Sequence, residues 1–253
     1  MNLPLPRQIA TQLQASLERA AHIQVTPLSA HTGAQIDGVD LRQPLTSEEV
    51  ATLRLALLRW KVIFFRGQHL SHEQHVAFAR QFGPLTVGHP VFGHVDGHAE
   101  LYSIAKHRKA NRYEGAAEQR PWTGWHADVT AAHNPPAASI LRGVTIPPYG
   151  GDTQWTNLAA AFDALSSPFQ QFVSGLRGVH QFSPPEGAQA TDEYRQLVRN
   201  RHLVTEHPLV TVHSETGEKV LYVSPGFLQR VVGVAPRESR VLLEYLWEHA
   251  VSS

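Results

Sequence analysis

The chain has no cysteine, which excludes disulfides, thiolate metal centres and cysteine nucleophiles. It has no surplus of either charge: 22 basic and 22 acidic residues cancel, leaving no electrostatic footprint for nucleic acid or an anionic membrane. No apolar run reaches the length of a membrane span. The segment Met1-Asn2-Leu3-Pro4-Leu5-Pro6-Arg7 lacks the basic-then-apolar layout of a signal peptide. Together these absences predict a cytoplasmic enzyme without nucleic-acid or membrane partners. Histidine, by contrast, is plentiful, with 16 in 253 residues, and keeps a metal site in view. The length suffices for one large β domain or two small ones.

Leu5, Ile9, Leu13 and Leu17 recur at four-residue spacing and predict an amphipathic helix over 5–21. It reads as an N-terminal extension, residues 1–22, ahead of a single domain over 23–253. Thr46-Ser47-Glu48-Glu49 and Ser71-His72-Glu73-Gln74 are capping boxes, each opening a helix. Between those helices, Lys61-Val62-Ile63-Phe64-Phe65 reads as a buried strand. His69, His72 and His75 are three apart and read as a solvated helix face. A loop from about 106 to 124 has the length of a lid or binding loop. Further strands are expected at 138–146, 152–156, 178–182, 208–213 and 220–223, and Pro236 opens a last helix. Short strands with a few helices outside them predict a mainly β (α+β) fold, a jelly-roll-like double sheet.

Chemistry concentrates at Gly124-Trp125-His126-Ala127-Asp128-Val129-Thr130. If the β-branched pair Val129 and Thr130 keeps this stretch in a strand, His126 and Asp128 point to the same side. One neutral nitrogen donor and one anionic oxygen donor are two members of a 2-His-1-carboxylate set, which leaves positions open on Fe(II). A different metal hydrolase could use the same pair.

The ordered blocks Gly33-Ala34-Gln35-Ile36-Asp37-Gly38-Val39-Asp40-Leu41, Phe82-Gly83-Pro84, Trp125-His126-Ala127-Asp128-Val129-Thr130, Gly150-Gly151-Asp152-Thr153-Gln154-Trp155, His207-Pro208-Leu209-Val210 and His213-Ser214-Glu215-Thr216-Gly217 resemble the taurine/2,4-D dioxygenase family of Fe(II)- and 2-oxoglutarate-dependent enzymes. Taurine and alkyl-sulfate dioxygenases look most similar. The resemblance implies a double-stranded β-helix with His126 and Asp128 as iron ligands and Thr153 on a 2-oxoglutarate carboxylate. It implies His89 as the contact to the substrate's sulfur oxyanion, the Val129 backbone close to substrate, and Phe182 and Phe227 as apolar pocket walls. Trp122 stands where taurine dioxygenases carry a substrate-contacting asparagine, so taurine itself is disfavoured. The implied reaction consumes 2-oxoglutarate and O2 and hydroxylates a small anionic organic substrate beside its heteroatom. Its products are succinate, CO2, an aldehyde and sulfate or sulfite. Alkyl sulfates or sulfonates are favoured, with phenoxyalkanoates next, and a homo-oligomer is expected.

The family also uses a second histidine ligand and an arginine on closing strands beyond the last helix, and the sequence reaches Ser253 before them. His180, His207 and His213 align with other positions of the family pattern. The expectation is therefore a C-terminally incomplete member whose jelly roll lacks its closing strands. The alternative is a non-catalytic relative acting as a binding or interaction protein.

Overall fold

The computed structural model of the chain describes residues 6–88, 93–104, 113–116, 118–184, 187–200 and 203–252. The chain divides into two compact units, residues 1–86, 140–157 and 212–218 forming one, and 87–139, 158–211 and 219–253 the other.

In the first unit, α1 (Pro6–Arg19), α2 (Ser47–Trp60) and α3 (His72–Arg80) accompany a three-stranded sheet of order β1 (Gln24–Pro27), β2 (Ala34–Asp37), β3 (Ile63–Phe65). β1 and β2 pair antiparallel from Gln24↔Asp37 to Pro27↔Ala34, whereas β2 and β3 run parallel, with α2 as the crossover that a parallel pair requires. Both capping boxes form. Thr46 accepts from the Glu49 amide while Glu49 reaches back to Thr46, and Ser71 and Gln74 do the same. The predicted N-terminal extension is part of the core instead: Ile9, Leu13 and Ala20 are buried, and Leu13 and Ala20 cluster with Ile23, Ile36 and Leu53. The apolar stripe of α1 needs a surface to cover it, and α2 provides one. The histidine face is also corrected. His75 is buried and donates to the Ile140 carbonyl at 3.2 Å, while His72 Nδ1 meets Arg142 Nη2 at 2.9 Å. Arg54 pairs with Glu215 at 2.7 Å and Lys61 with Glu218, which ties segment 212–218 into this unit.

The expected strands at 138–146 and 152–156 are absent. These stretches are irregular, and Ile140, Leu141, Val144, Ile146 and Trp155 are exposed. Alternating apolar residues supply a face, but a strand persists only where a neighbour completes its ladder.

The second unit contains β4 (Tyr113–Glu114), α4 (Leu158–Asp163), α5 (Ser167–Ser174), β5 (Arg177–Gln181), β6 (Gln189–Ala190), α6 (Asp192–Asn200), β7 (Val204–Pro208), all but the last residue of β8 (Val210–Val212), β9 (Lys219–Leu221), β10 (Leu228–Val231) and α7 (Pro236–Ser252). Its central sheet has the order β10-β5-β7, all antiparallel, with a bulge between Leu228 and Arg230. Leu209, Leu221, Leu228, Leu243 and Leu246 pack with Phe162, Leu165 and Val173 into one core. Period-two alternation puts Gly178 and His180 of β5 on the same, buried face, with His207 and Thr205 opposite them on β7. No helix among the described residues is long and apolar enough to cross a membrane.

Candidate active site

The His126–Asp128 stretch is not a strand. Residues 125–127 are irregular and 128–131 form a turn, in which the Ala132 amide donates to the Val129 carbonyl at 2.9 Å. Val129 has a φ of 51°, a left-handed conformation that costs a β-branched residue about 1–3 kcal/mol. Strand alternation therefore cannot be what brings the two donors together. In the irregular backbone of 125–127, His126 Nε2 nonetheless lies 3.4 Å from Asp128 Oδ1.

Each side chain is held from behind. His126 Nδ1 donates to the Gly124 carbonyl at 2.9 Å, which places one ring proton on Nδ1 and turns Nε2 toward Asp128. Ser139 Oγ donates to Asp128 Oδ2 at 2.6 Å. The Ala127 amide between them donates to Ser224 Oγ at 3.0 Å. A Cβ at Gly226 would stand 3.2 Å from His126 Cβ, so the backbone there forms a wall that any side chain would push into the histidine. The hydrogen bond to Asp128 raises the His126 pKa, against the opposing effect of burial, and the Gly124 carbonyl adds to the rise.

This donor set fits a divalent metal. Two bonds of about 2.1 Å each reach across the 3.4 Å between Nε2 and Oδ1. A backbone carbonyl on the far ring nitrogen is the usual way a metal-bound histidine is oriented. Among the described residues, no third histidine, aspartate or glutamate completes a metal-binding cluster with this pair.

The other predicted site residues fall as follows. Trp122 packs on Trp247 of α7 with ring centres 5.9 Å apart, and its carbonyl accepts the Trp125 amide at 3.1 Å. Phe182 and Phe227 form an edge-to-face pair at 4.7 Å. Phe227 directly follows the Gly226 wall and is buried. Thr153 is exposed in the irregular 140–157 stretch of the first unit, after Gly150 and Gly151, both with positive φ. His89 lies outside the described residues. Sequence reasoning missed Ser139, Ser224 and Gly226. Only Gly226 left a signal, as the glycine of a Ser224-Pro225-Gly226 turn.

Behind the turn, His180 is fully buried, with Nδ1 2.9 Å from Thr130 Oγ1. Its ring stacks on Tyr222 and meets His207 edge-on, each at 5.3 Å. Nε2 has no hydrogen-bond partner among the described residues. Burial first, and then the neighbouring His207, push the His180 pKa down to about 4 from an ordinary 6.5. Between those values the unfolded chain holds a proton that the folded chain refuses. Stability is therefore complete above pH 6.5, falls as the pH drops to 4, and loses about 3 kcal/mol over that window. Urea midpoints at pH 7.0, 5.5 and 4.5 should show the decline, and His180→Asn should flatten it. Parallel curves for the two proteins would refute the assignment.

The sequence profile of the Taurine catabolism dioxygenase TauD, TfdA family matches residues 24–252. The chain is 35% identical to an alpha-ketoglutarate-dependent sulfate ester dioxygenase of Pseudomonas putida, over 93% of this chain and 77% of that protein. It is 36% identical to an alkylsulfatase of Acinetobacter baylyi, over 89% of this chain and 70% of the relative. A taurine dioxygenase crystal structure from Burkholderia xenovorans superposes with a TM-score of 0.76 at 63% identity, covering 91% of this chain and 73% of that one. The chain belongs to the TauD, TfdA family of taurine catabolism dioxygenases.

Proposed function

We propose that the chain is an Fe(II)- and 2-oxoglutarate-dependent dioxygenase that hydroxylates a small organic sulfate or sulfonate at the carbon beside the sulfur oxyanion group. The observation that carries this reading is the His126–Asp128 pair, set 3.4 Å apart with the far side of each donor already hydrogen-bonded. The sulfate ester dioxygenase and alkylsulfatase relatives support the sulfur chemistry. The family match over 24–252 supports a double-stranded β-helix as the catalytic fold. The reading extends to a cytoplasmic homo-oligomer.

In this reading His126 and Asp128 hold the iron and Thr153 binds a 2-oxoglutarate carboxylate. His89 meets the sulfur oxyanion, while Val129, Trp122, Phe182 and Phe227 surround the substrate's carbon chain. Iron bound there supplies the O2-activating centre that couples 2-oxoglutarate decarboxylation to C–H hydroxylation. The protein's part is orientation: Gly124 and Ser139 fix the two donors, and the Phe182–Phe227 pair presents an apolar surface. The product collapses to an aldehyde and sulfate, or sulfite from a sulfonate.

The test supplies Fe(II), 2-oxoglutarate and O2 with a medium-chain alkyl sulfate, taurine or a phenoxyacetate. The expected result is succinate and sulfate in equal amounts with the alkyl sulfate, with taurine poorer. Succinate formation undiminished in His89→Ala would remove the sulfur-oxyanion assignment. No substrate-dependent succinate at all, together with no uptake of Mn(II), would move the chain to the non-catalytic relatives.

A further inference from the structure

Three consecutive residues after Val129 are each gripped by a side chain from the buried face of the β5–β7 ladder. His180 Nδ1 meets Thr130 Oγ1 at 2.9 Å, Thr205 Oγ donates to the Ala131 carbonyl at 2.8 Å, and His207 Nε2 donates to the Ala132 carbonyl at 3.1 Å. We propose that His180, Thr205 and His207 are positioning residues that impose the left-handed Val129 conformation and thereby hold Asp128, a proposed metal donor, against the Ser139 hydroxyl that orients its carboxylate. The proposal rests on the iron reading above only for what the turn carries; the anchoring itself is a statement about the turn.

Two independent features of the structure support the anchoring. First, a valine at φ 51° relaxes to the β region unless its neighbours forbid it. Relaxation at Val129 would swing Asp128 relative to everything after it. The anchors fix the chain on the C-terminal side of Val129, and Ser139 and Ser224 fix Asp128 and Ala127 on the other side. The strained residue is thus clamped from both directions. Second, the anchors come from a rigid source. The register His180↔Thr205 and Gly178↔His207 puts all three on one face of a ladder backed by the leucine core. The missing Cβ of Gly178 is part of that arrangement, because one there would stand 2.3 Å from Leu228 Cδ1 and 2.8 Å from Leu209 Cδ2. The proton assignments are consistent too. His207 must carry its proton on Nε2 to donate to a carbonyl. The His180 tautomer that leaves only a lone pair at its buried Nε2 carries its proton on Nδ1 and donates to Thr130.

Amide hydrogen exchange on the full chain tests this, with Mn(II) titration as a second readout. In Thr205→Val and in His207→Leu, exchange across Asp128–Ala132 should rise about tenfold, while the β5, β7 and β10 amides keep their wild-type protection. His207→Gln, which restores a donor near the Nε2 position, should recover the slow exchange; a merely space-filling role would not show this rescue. Mn(II) affinity should fall about tenfold in the first two variants and recover in the third. Unchanged exchange at 128–132 in both Thr205→Val and His207→Leu overturns the inference. Equal Mn(II) binding by wild type and His126→Ala, or none by wild type, overturns the iron reading instead, and the exchange result still decides the anchoring.

Discussion

His126→Ala and Asp128→Ala are each expected to abolish Fe(II)-dependent succinate formation while the protein stays folded. The two halves of that expectation have separate causes. The side chains are 55% and 36% exposed, and the pair they make is close to a surface ion pair, worth about 0–1 kcal/mol. Removing either one leaves the leucine core untouched, so the melting temperature should move by only a few degrees. The loss of function is far larger, because a metal held by few protein donors cannot spare one of them. Orienting partners of metal ligands typically cost 10–100-fold on removal, so a ligand itself should cost more than about 100-fold. Ser139→Ala supplies the comparison: it removes the 2.6 Å bond behind Asp128 and should weaken Mn(II) binding within that smaller range. Calorimetric Mn(II) titration, succinate assays and thermal melts on the three variants check the ordering. An active Asp128→Ala protein would end the site assignment.

Gly38→Ala is expected to give the largest loss of stability, more than about 4 kcal/mol. Gly38 follows β2 with a φ of 92°, and a Cβ there would lie 1.9 Å from the His22 carbonyl oxygen and 2.8 Å from its carbon. The obstacle is backbone, so no rotamer change relieves it. The chain entering β1 would have to move away, taking Ile23 from the core and pulling on the Gln24↔Asp37 end of the ladder. Gly67→Ala separates strain from collision. Gly67 has a φ of 67° but nothing within 4 Å of its Cβ position, so it should cost only about 1 kcal/mol. Urea unfolding of both variants decides the point, and equal midpoints would refute the collision argument.

The sequence made the helices legible because their signals are local. Thr46 with Glu49, Ser71 with Gln74, and Pro236 at the start of α7 are written within a few residues of the ends they cap. The residue identities of the proposed metal pair were equally legible. Its conformation was not. Val129 and Thr130 have strand propensity, yet Val129 is left-handed because of partners such as His180 and Thr205, 51 and 76 positions away. The same reason explains α1, whose role in the core depends on α2, and His75, whose burial depends on Ile140. It also explains 138–146 and 152–156, whose apolar pattern is real but whose residues form no ladder.

That last stretch has a colloidal consequence. Ile140, Leu141, Val144, Ile146, Tyr149 and Trp155 are all exposed within sixteen residues, and Val144, Ile146 and Tyr149 are at least 75% accessible. Such a patch attracts like patches on other molecules. A chain with 22 charges of each sign has almost no net repulsion at neutral pH to keep those molecules apart. Self-association through this segment should therefore rise as the pH approaches the isoelectric point. Strongly excluded salts such as sulfate, a product of the proposed reaction, act in the direction of precipitation.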